Sequence, residues 1–225
     1  RCMRMTNNRA AQILRILQNS FSLSQWANRR PKEPFQVLIR TVLSQATADR
    51  NTARAYENLS KRFSITPKAL AEANVEEIEE TIRVAGLYRN KSKIIKQISH
   101  IVLEQFDGSL DFIHSLPFEE ARKTLLTIPG VGPKTADVVL LFCAGKPTLP
   151  VDTHVNRVSK RLGLAPSIGD YNGVRQSLQS VYQPKDYLSA HLLLISLGRK
   201  YCKARKPLCK PCPVNTLCPS KQNSR

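Results

Sequence analysis

From Ala10 to Tyr201 the apolar residues of this chain return every third or fourth position, and strict alternation is hard to find, so the spacing predicts helices throughout. Ala10, Ile13, Leu14 and Leu17 line one face of a first helix, Val37, Leu38, Thr41 and Val42 a second, and Ala53, Tyr56 and Leu59 a third. Ala69 to Ala73 and Val75 to Val84 read as shorter helices, Lys91 to Phe106 as a long one, and Phe118 to Leu126 as another. Pro133 to Cys143, Val155 to Leu162, Tyr171 to Val181 and Tyr187 to Tyr201 complete the set. The run Val138 to Phe142 has the composition of a buried strand, but it follows a helix-starting Pro133-Lys134-Thr135 and is expected to be a buried helix. Breaks at Arg30-Pro31, Thr66-Pro67, Gly108, Leu116-Pro117 and Gly145 to Pro150 fall where helix connections are needed. The expected fold class is all-α. With 225 residues, 41% of them hydrophobic, the chain can bury a real core as one large domain or two small ones.

Charge narrows the partner. The chain carries 35 Lys and Arg against 17 Asp and Glu, a formal net charge of +18, and a field of that sign concentrates a polyanion and speeds its capture. A membrane surface would also attract it, but no stretch approaches ~18 uninterrupted apolar residues and no basic amphipathic segment stands apart. Nucleic acid is the expected partner. Position 1 is Arg rather than Met, which predicts a processed chain, with no anchor or secretory signal in view and a frayed polar tail from Ser220 to Arg225.

Between Ile128 and Asp152 the chemistry gathers. Gly130 and Gly132, spaced by Val131, permit positive φ angles and close backbone approach, and Pro133 suits the first turn of the next helix. Unpaired amides at that helix start favour an anion such as a DNA phosphate, and Lys134 adds an amine. Asp152 follows as a carboxylate partner, or as the cap of a helix beginning at Thr153. Taken alone, the hairpin is equally an ordinary turn between packed helices, and a lysine starting a helix is equally a solvated charge.

Cys202, Cys209, Cys212 and Cys218 form a C-x6-C-x2-C-x5-C run. Disulfides would need an oxidising compartment, for which no signal speaks. Zinc usually takes two C-x2-C pairs across a long loop. Short unequal gaps around one body suit an iron-sulfur cube better, with zinc the alternative. Cys2 and Cys143 lie elsewhere, one terminal and one a small core residue.

The stretch from Leu126 to Ala136, LTIPGVGPKTA, then Val151-Asp152-Thr153-His154, then the four-cysteine run, together resemble endonuclease III of the helix-hairpin-helix DNA glycosylases, over about residues 34 to 218. The resemblance implies a six-helix barrel over residues 27–146 containing the hairpin, an iron-sulfur domain formed by residues 1–26 with 147–225, and an active site in a cleft between them. It implies a 4Fe-4S cluster on the four cysteines. It also implies a base-excision-repair glycosylase with AP (β-elimination) lyase activity on oxidised pyrimidines and abasic sites. The partner is then double-stranded DNA with a damaged base or abasic site, bound by a monomer, and reduced thiols with a DNA substrate point to an intracellular setting.

Family members that only hydrolyse the glycosidic bond carry other residues at the lysine position, so Lys134 implies a Schiff-base nucleophile and Asp152 its catalytic partner. A lysine amine ordinarily titrates at ~10.4, so such chemistry near neutrality requires surroundings that favour its neutral form. The flipped nucleotide leaves a gap to be filled. Leu87, in Gly86-Leu87-Tyr88, matches the family's wedge leucine, and Gln45, in Ser44-Gln45-Ala46-Thr47, its gap-filling glutamine. Aligned without a gap, that glutamine falls instead on Ala46. Gly130, Val131, Gly132, Thr135 and His154 are the implied DNA contacts of the hairpin and the segment after Asp152. Lys203, Arg205 and Lys206, inside the first cysteine gap, would meet phosphates, or else form a solvated charge run. Two other functions fit the residues: a non-catalytic, structure-specific DNA-binding module, and a glycosylase for mismatched or purine-lesion bases.

Overall fold

The protein is described by a computed structural model over residues 2–23 and 33–221, with side chains from residue 7 onward in the first helix. The expected break at Arg30-Pro31, the domain boundary near residue 27, the Cys2 side chain and the last residues of the polar tail lie outside the described residues. Among the described residues the regular structure is helical throughout, with no strand. The all-α reading holds.

Two compact units divide the chain, one of Arg1–Arg30 with Lys146–Arg225 and one of Pro31–Gly145. In the second, helices α2 (Pro34–Ser44), α3 (Asp49–Arg62), α4 (Pro67–Glu72), α5 (Val75–Ile82), α6 (Tyr88–Gln105), α7 (Phe112–Ser115), α8 (Phe118–Leu126) and α9 (Pro133–Ala144) enclose a core. Phe35, Leu38, Leu59, Ile78, Ile95, Leu125 and Leu140 are among its members. Prolines open α2, α4 and α9 in the first turn, where the missing N–H costs no bond. Glu33, Thr66 and Asn74 cap α2, α4 and α5 with side-chain oxygens.

The first unit packs α1 (Cys2–Ser20) with α10 (Thr153–Arg161), α11 (Tyr171–Val181) and α12 (Tyr187–Lys200). Ile13, Leu17, Val155, Val158, Leu178, Leu193 and Leu197 meet in its core. After α12 the chain continues through turns that carry the four cysteines. Val138 to Phe142 is helical, as expected, and α9 buries Val139, Leu140 and Leu141.

Three expectations are corrected. Ala53 does not face the core: the buried stripe of α3 is Thr52, Ala55 and Leu59, with Tyr56 half-buried, and Ala53 lies roughly 100° round the helix from Thr52. The helix read from Lys91 begins at Tyr88, because Lys91 is a buried residue one turn inside it. The helix read through Val84 ends at Ile82 and tightens into a 3-10 turn, Arg83–Ala85, before Gly86.

Candidate functional site

The hairpin joins α8 to α9. Gly130 has φ +82°, and a Cβ built there would stand 2.7 Å from Ile94 Cγ2, so this position requires glycine twice over. Gly132 corrects the reading of two permissive glycines: its φ is −88° and a Cβ would meet nothing within 4 Å. A side chain at this position would face open space. Pro133 occupies the first turn of α9, with no side-chain cap on Gly132, so the amides of that turn keep their outward donors. Lys134 follows, half-buried. Val131 and Thr135 turn their side chains into the protein, at 5% and 3% exposure, which leaves their main chain as the part able to face a ligand.

A pair that the sequence did not disclose fixes this corner. Asp137, fully buried one turn beyond Lys134, accepts from Arg122 Nε at 2.8 Å and Nη2 at 3.5 Å. The pair clamps α8 to α9 across the hairpin. No spacing rule links residues fifteen positions apart on two helices, so nothing in the sequence marked it.

Elsewhere in the same unit, two exposed tips lie near α2 and α6. Leu87 takes a left-handed backbone, φ +48°, and is 65% exposed, an unusual conformation and setting for a large apolar side chain. Ala46 is exposed with φ +51°, whereas Gln45 is half-buried as the C-cap of α2. The tip of that loop is thus Ala46.

In the other unit, Asp152 is the N-cap of α10: its Oδ1 accepts the Val155 amide at 2.7 Å. His154, half-buried, faces Arg157 Nη2 through Nδ1 at 3.0 Å. The far half of α10 serves the cysteines. Arg157 Nε donates to the Cys202 carbonyl at 2.9 Å, and Arg161 donates to the carbonyls of Lys203 at 2.7 Å and Ala204 at 3.1 Å. These two arginines shape the first cysteine gap from inside and were not singled out by the sequence. Lys203, Arg205 and Lys206 point outward from it, all exposed, with Lys206 at φ +49°.

All four cysteines line one cavity, with Arg161, Leu162, Leu197, Tyr201 and Val214 among its other walls. All four are free thiols. Burial pushes the thiols of Cys212 and Cys218 above their ordinary value, and the neighbouring cysteine sulfurs push the same way. Among the described residues no three His, Cys, Asp or Glu side chains are gathered to hold a metal ion. Cys143 stands apart, half-buried in α9, with burial pushing its thiol up to about 12, an inert core residue. No helix among the described residues is long and apolar enough to cross a membrane.

Comparison with known proteins agrees with this geometry. Residues 39–184 match the family of HhH-GPD superfamily base excision DNA repair proteins. The chain is 36% identical over 225 residues to the endonuclease III of a Synechocystis species, covering 100% of this chain and 98% of that protein. It is 36% identical over 189 residues to the endonuclease III of Escherichia coli, covering 84% and 85%. A solved structure of a trapped endonuclease III–DNA covalent intermediate superposes with a TM-score of 0.78 at 31% identity, over 94% of this chain and 96% of that one. By its matched residues and by its relatives, this chain belongs to the HhH-GPD superfamily of base excision DNA repair proteins, and within it to the endonuclease III family.

Proposed function

We propose that this protein is a DNA glycosylase with AP lyase activity in base excision repair, acting on double-stranded DNA with an oxidised pyrimidine or an abasic site. The observation that carries the reading is Lys134, a half-buried amine one residue into a helix whose first amides are uncapped, directly after the glycine hairpin. The hairpin main chain and helix start receive a phosphate, placing the amine against the adjoining sugar. Lys134 Nζ attacks C1′, the C1′–N bond breaks, and the base leaves with a proton. Ring opening gives an imine with C1′. Loss of a C2′ proton then expels the 3′ phosphate, cutting the strand, and water releases the lysine.

Asp152 is the partner carboxylate of that reaction. Its Oδ1 is committed to the helix cap, and Oδ2 is not engaged by that bond. It steadies positive charge on the loosening sugar or takes the proton shed by the amine. Gly130, Val131, Gly132 and Thr135 contribute main-chain contacts to DNA, while His154, Lys203, Arg205 and Lys206 add polar and charged contacts. Leu87 fills the space vacated by the extruded nucleotide, with Gln45 or the neighbouring tip Ala46 beside it.

Cys202, Cys209, Cys212 and Cys218 would hold a 4Fe-4S cluster. Four cysteines around one cavity, at the short unequal gaps C-x6-C-x2-C-x5-C, fit an iron-sulfur cluster better than the two separated C-x2-C pairs usual for zinc. Bound there, the cluster supplies four iron–thiolate bonds that close the C-terminal loops into one body. The boundary near residue 146 between barrel and cluster domains is supported by the division into compact units between Gly145 and Lys146. Cysteines committed to a cluster and a DNA substrate support a reducing, intracellular setting.

Borohydride trapping tests the reading. Wild type is expected to form a covalent adduct on abasic DNA and Lys134→Ala none. No adduct from wild type would leave a binding module as the answer.

A further inference from the structure

Lys91 is the most anomalous charge in the Pro31–Gly145 unit. It is 2% exposed, and its ammonium donates to the Leu43 carbonyl at 2.9 Å, the Thr47 hydroxyl at 2.5 Å and the Ala85 carbonyl at 3.1 Å. Those three bonds use all three of its N–H donors, and all three acceptors are neutral oxygens. Thr47 Oγ1 in turn donates to the same Ala85 carbonyl at 2.5 Å. Burying an ammonium among neutral groups is costly, and burial does lower the Lys91 pKa.

The acceptors belong to two segments far apart in sequence. Leu43 sits in the last turn of α2, where the negative end of the helix dipole welcomes a cation, and Thr47 ends the loop that carries Ala46 at its tip. Ala85 closes the 3-10 turn that leads through Gly86 to Leu87. Both tips, Ala46 and Leu87, hold left-handed non-glycine backbones at a cost of about 1 kcal/mol or more each, which persists only where surroundings over-determine the conformation. One buried ammonium therefore lies behind both strained, solvent-facing tips.

We infer that Lys91 is a positioning residue that joins the Gln45–Thr47 loop and the Ala85–Leu87 turn into one rigid wedge, so that both enter the DNA stack together when a nucleotide is extruded. The inference rests on the wedge reading of Leu87 given above. Lys91 touches no DNA. It acts by holding carbonyls of two segments at a fixed separation, which an apolar side chain of the same length does not do.

The test compares strand cleavage of a duplex abasic site with that of the same abasic strand unpaired, where no extrusion is needed. For Lys91→Met the ratio of duplex to single-strand rates is expected to fall about tenfold, the scale of one buried charge-assisted hydrogen bond. Leu87→Ala is expected to lower the same ratio, and the double variant to lower it no further than the larger single effect. An equal loss on both substrates, or losses that multiply in the double variant, overturns the inference and leaves Lys91 a purely structural satisfier of carbonyls. Should Lys91→Met fail to fold, Thr47→Val removes only the bridging hydroxyl and is expected to lower the ratio in the same direction. An unchanged ratio there also overturns it. Failure of the underlying readings looks different: no adduct from wild type rejects the enzyme, and an unchanged ratio for Leu87→Ala rejects the wedge.

Discussion

The Asp152 carboxylate accepts the Val155 amide at 2.7 Å, so the residue proposed for catalysis is at the same time the N-cap of α10. The two roles separate by substitution. Asn caps a helix about as well as Asp, whereas Ala loses about 1 kcal/mol. Asp152→Asn is therefore expected to unfold in urea at the wild-type midpoint yet cleave abasic DNA at least about a hundredfold more slowly, the range of one general acid–base group. Asp152→Ala loses both. Full cleavage by Asp152→Asn would reduce the residue to a cap.

The two hairpin glycines should respond oppositely. Gly130→Ala must enter a positive-φ conformation and meet Ile94, so a loss of roughly 1–3 kcal/mol in unfolding free energy is expected. Gly132→Ala has an ordinary φ and open space, so its stability should change by less than about 0.5 kcal/mol. Its measurable defect should be weaker binding to abasic-site DNA, because the new methyl would stand where the proposed phosphate contact lies.

Asp137→Asn takes away the carboxylate that faces the Arg122 guanidinium between α8 and α9. Asp137→Asn is expected to destabilise by about 3–5 kcal/mol, seen as a lower urea midpoint. Replacing both partners with apolar residues should recover part of that loss.

Lys91 gives a pH signature. Its pKa is lowered in the folded protein, so between that lowered value and the ordinary one near 10.4 the unfolded chain binds more protons than the folded one. Stability contributed at this site therefore rises as pH climbs through that window, and the desolvation penalty is fully present below it. Urea unfolding of wild type and Lys91→Met from pH 7 to 10 should show the difference between them moving in wild type's favour. A constant difference would contradict the burial of the charge.

Iron analysis addresses the cysteines. Purified protein is expected to hold about four iron atoms per chain. Cys209→Ser should lower iron content and loosen the segment after α12, read as faster amide exchange. Stoichiometric zinc in place of iron would reject the cluster.

Much of this was legible in the chain itself. Helical spacing marked α2, α8, α9 and α11 because their apolar stripes are long and their starts carry proline or a capping aspartate. The stripe of α3 was misplaced by one position, since Ala53 is as apolar as Ala55 and only packing decides which turns inward. The four-residue helix α7 escaped notice because a single turn has no period to detect. The hairpin, Lys134, Asp152 and the cysteines stood out through local patterns. Lys91, Arg122 and Arg161 did not, because their partners are carbonyls or carboxylates brought near only by folding, and a sequence shows a lysine or arginine without showing what it faces.

Helix α10 has the Asp152 cap just before its first residue and the arginines that brace the Cys202–Ala204 main chain on its later turns. Nine residues span only about 13 Å. The main chain around the first cysteine and the Asp152 carboxylate thus hang from opposite ends of one short strut, so a shift of either end is carried to the other along a rigid helix.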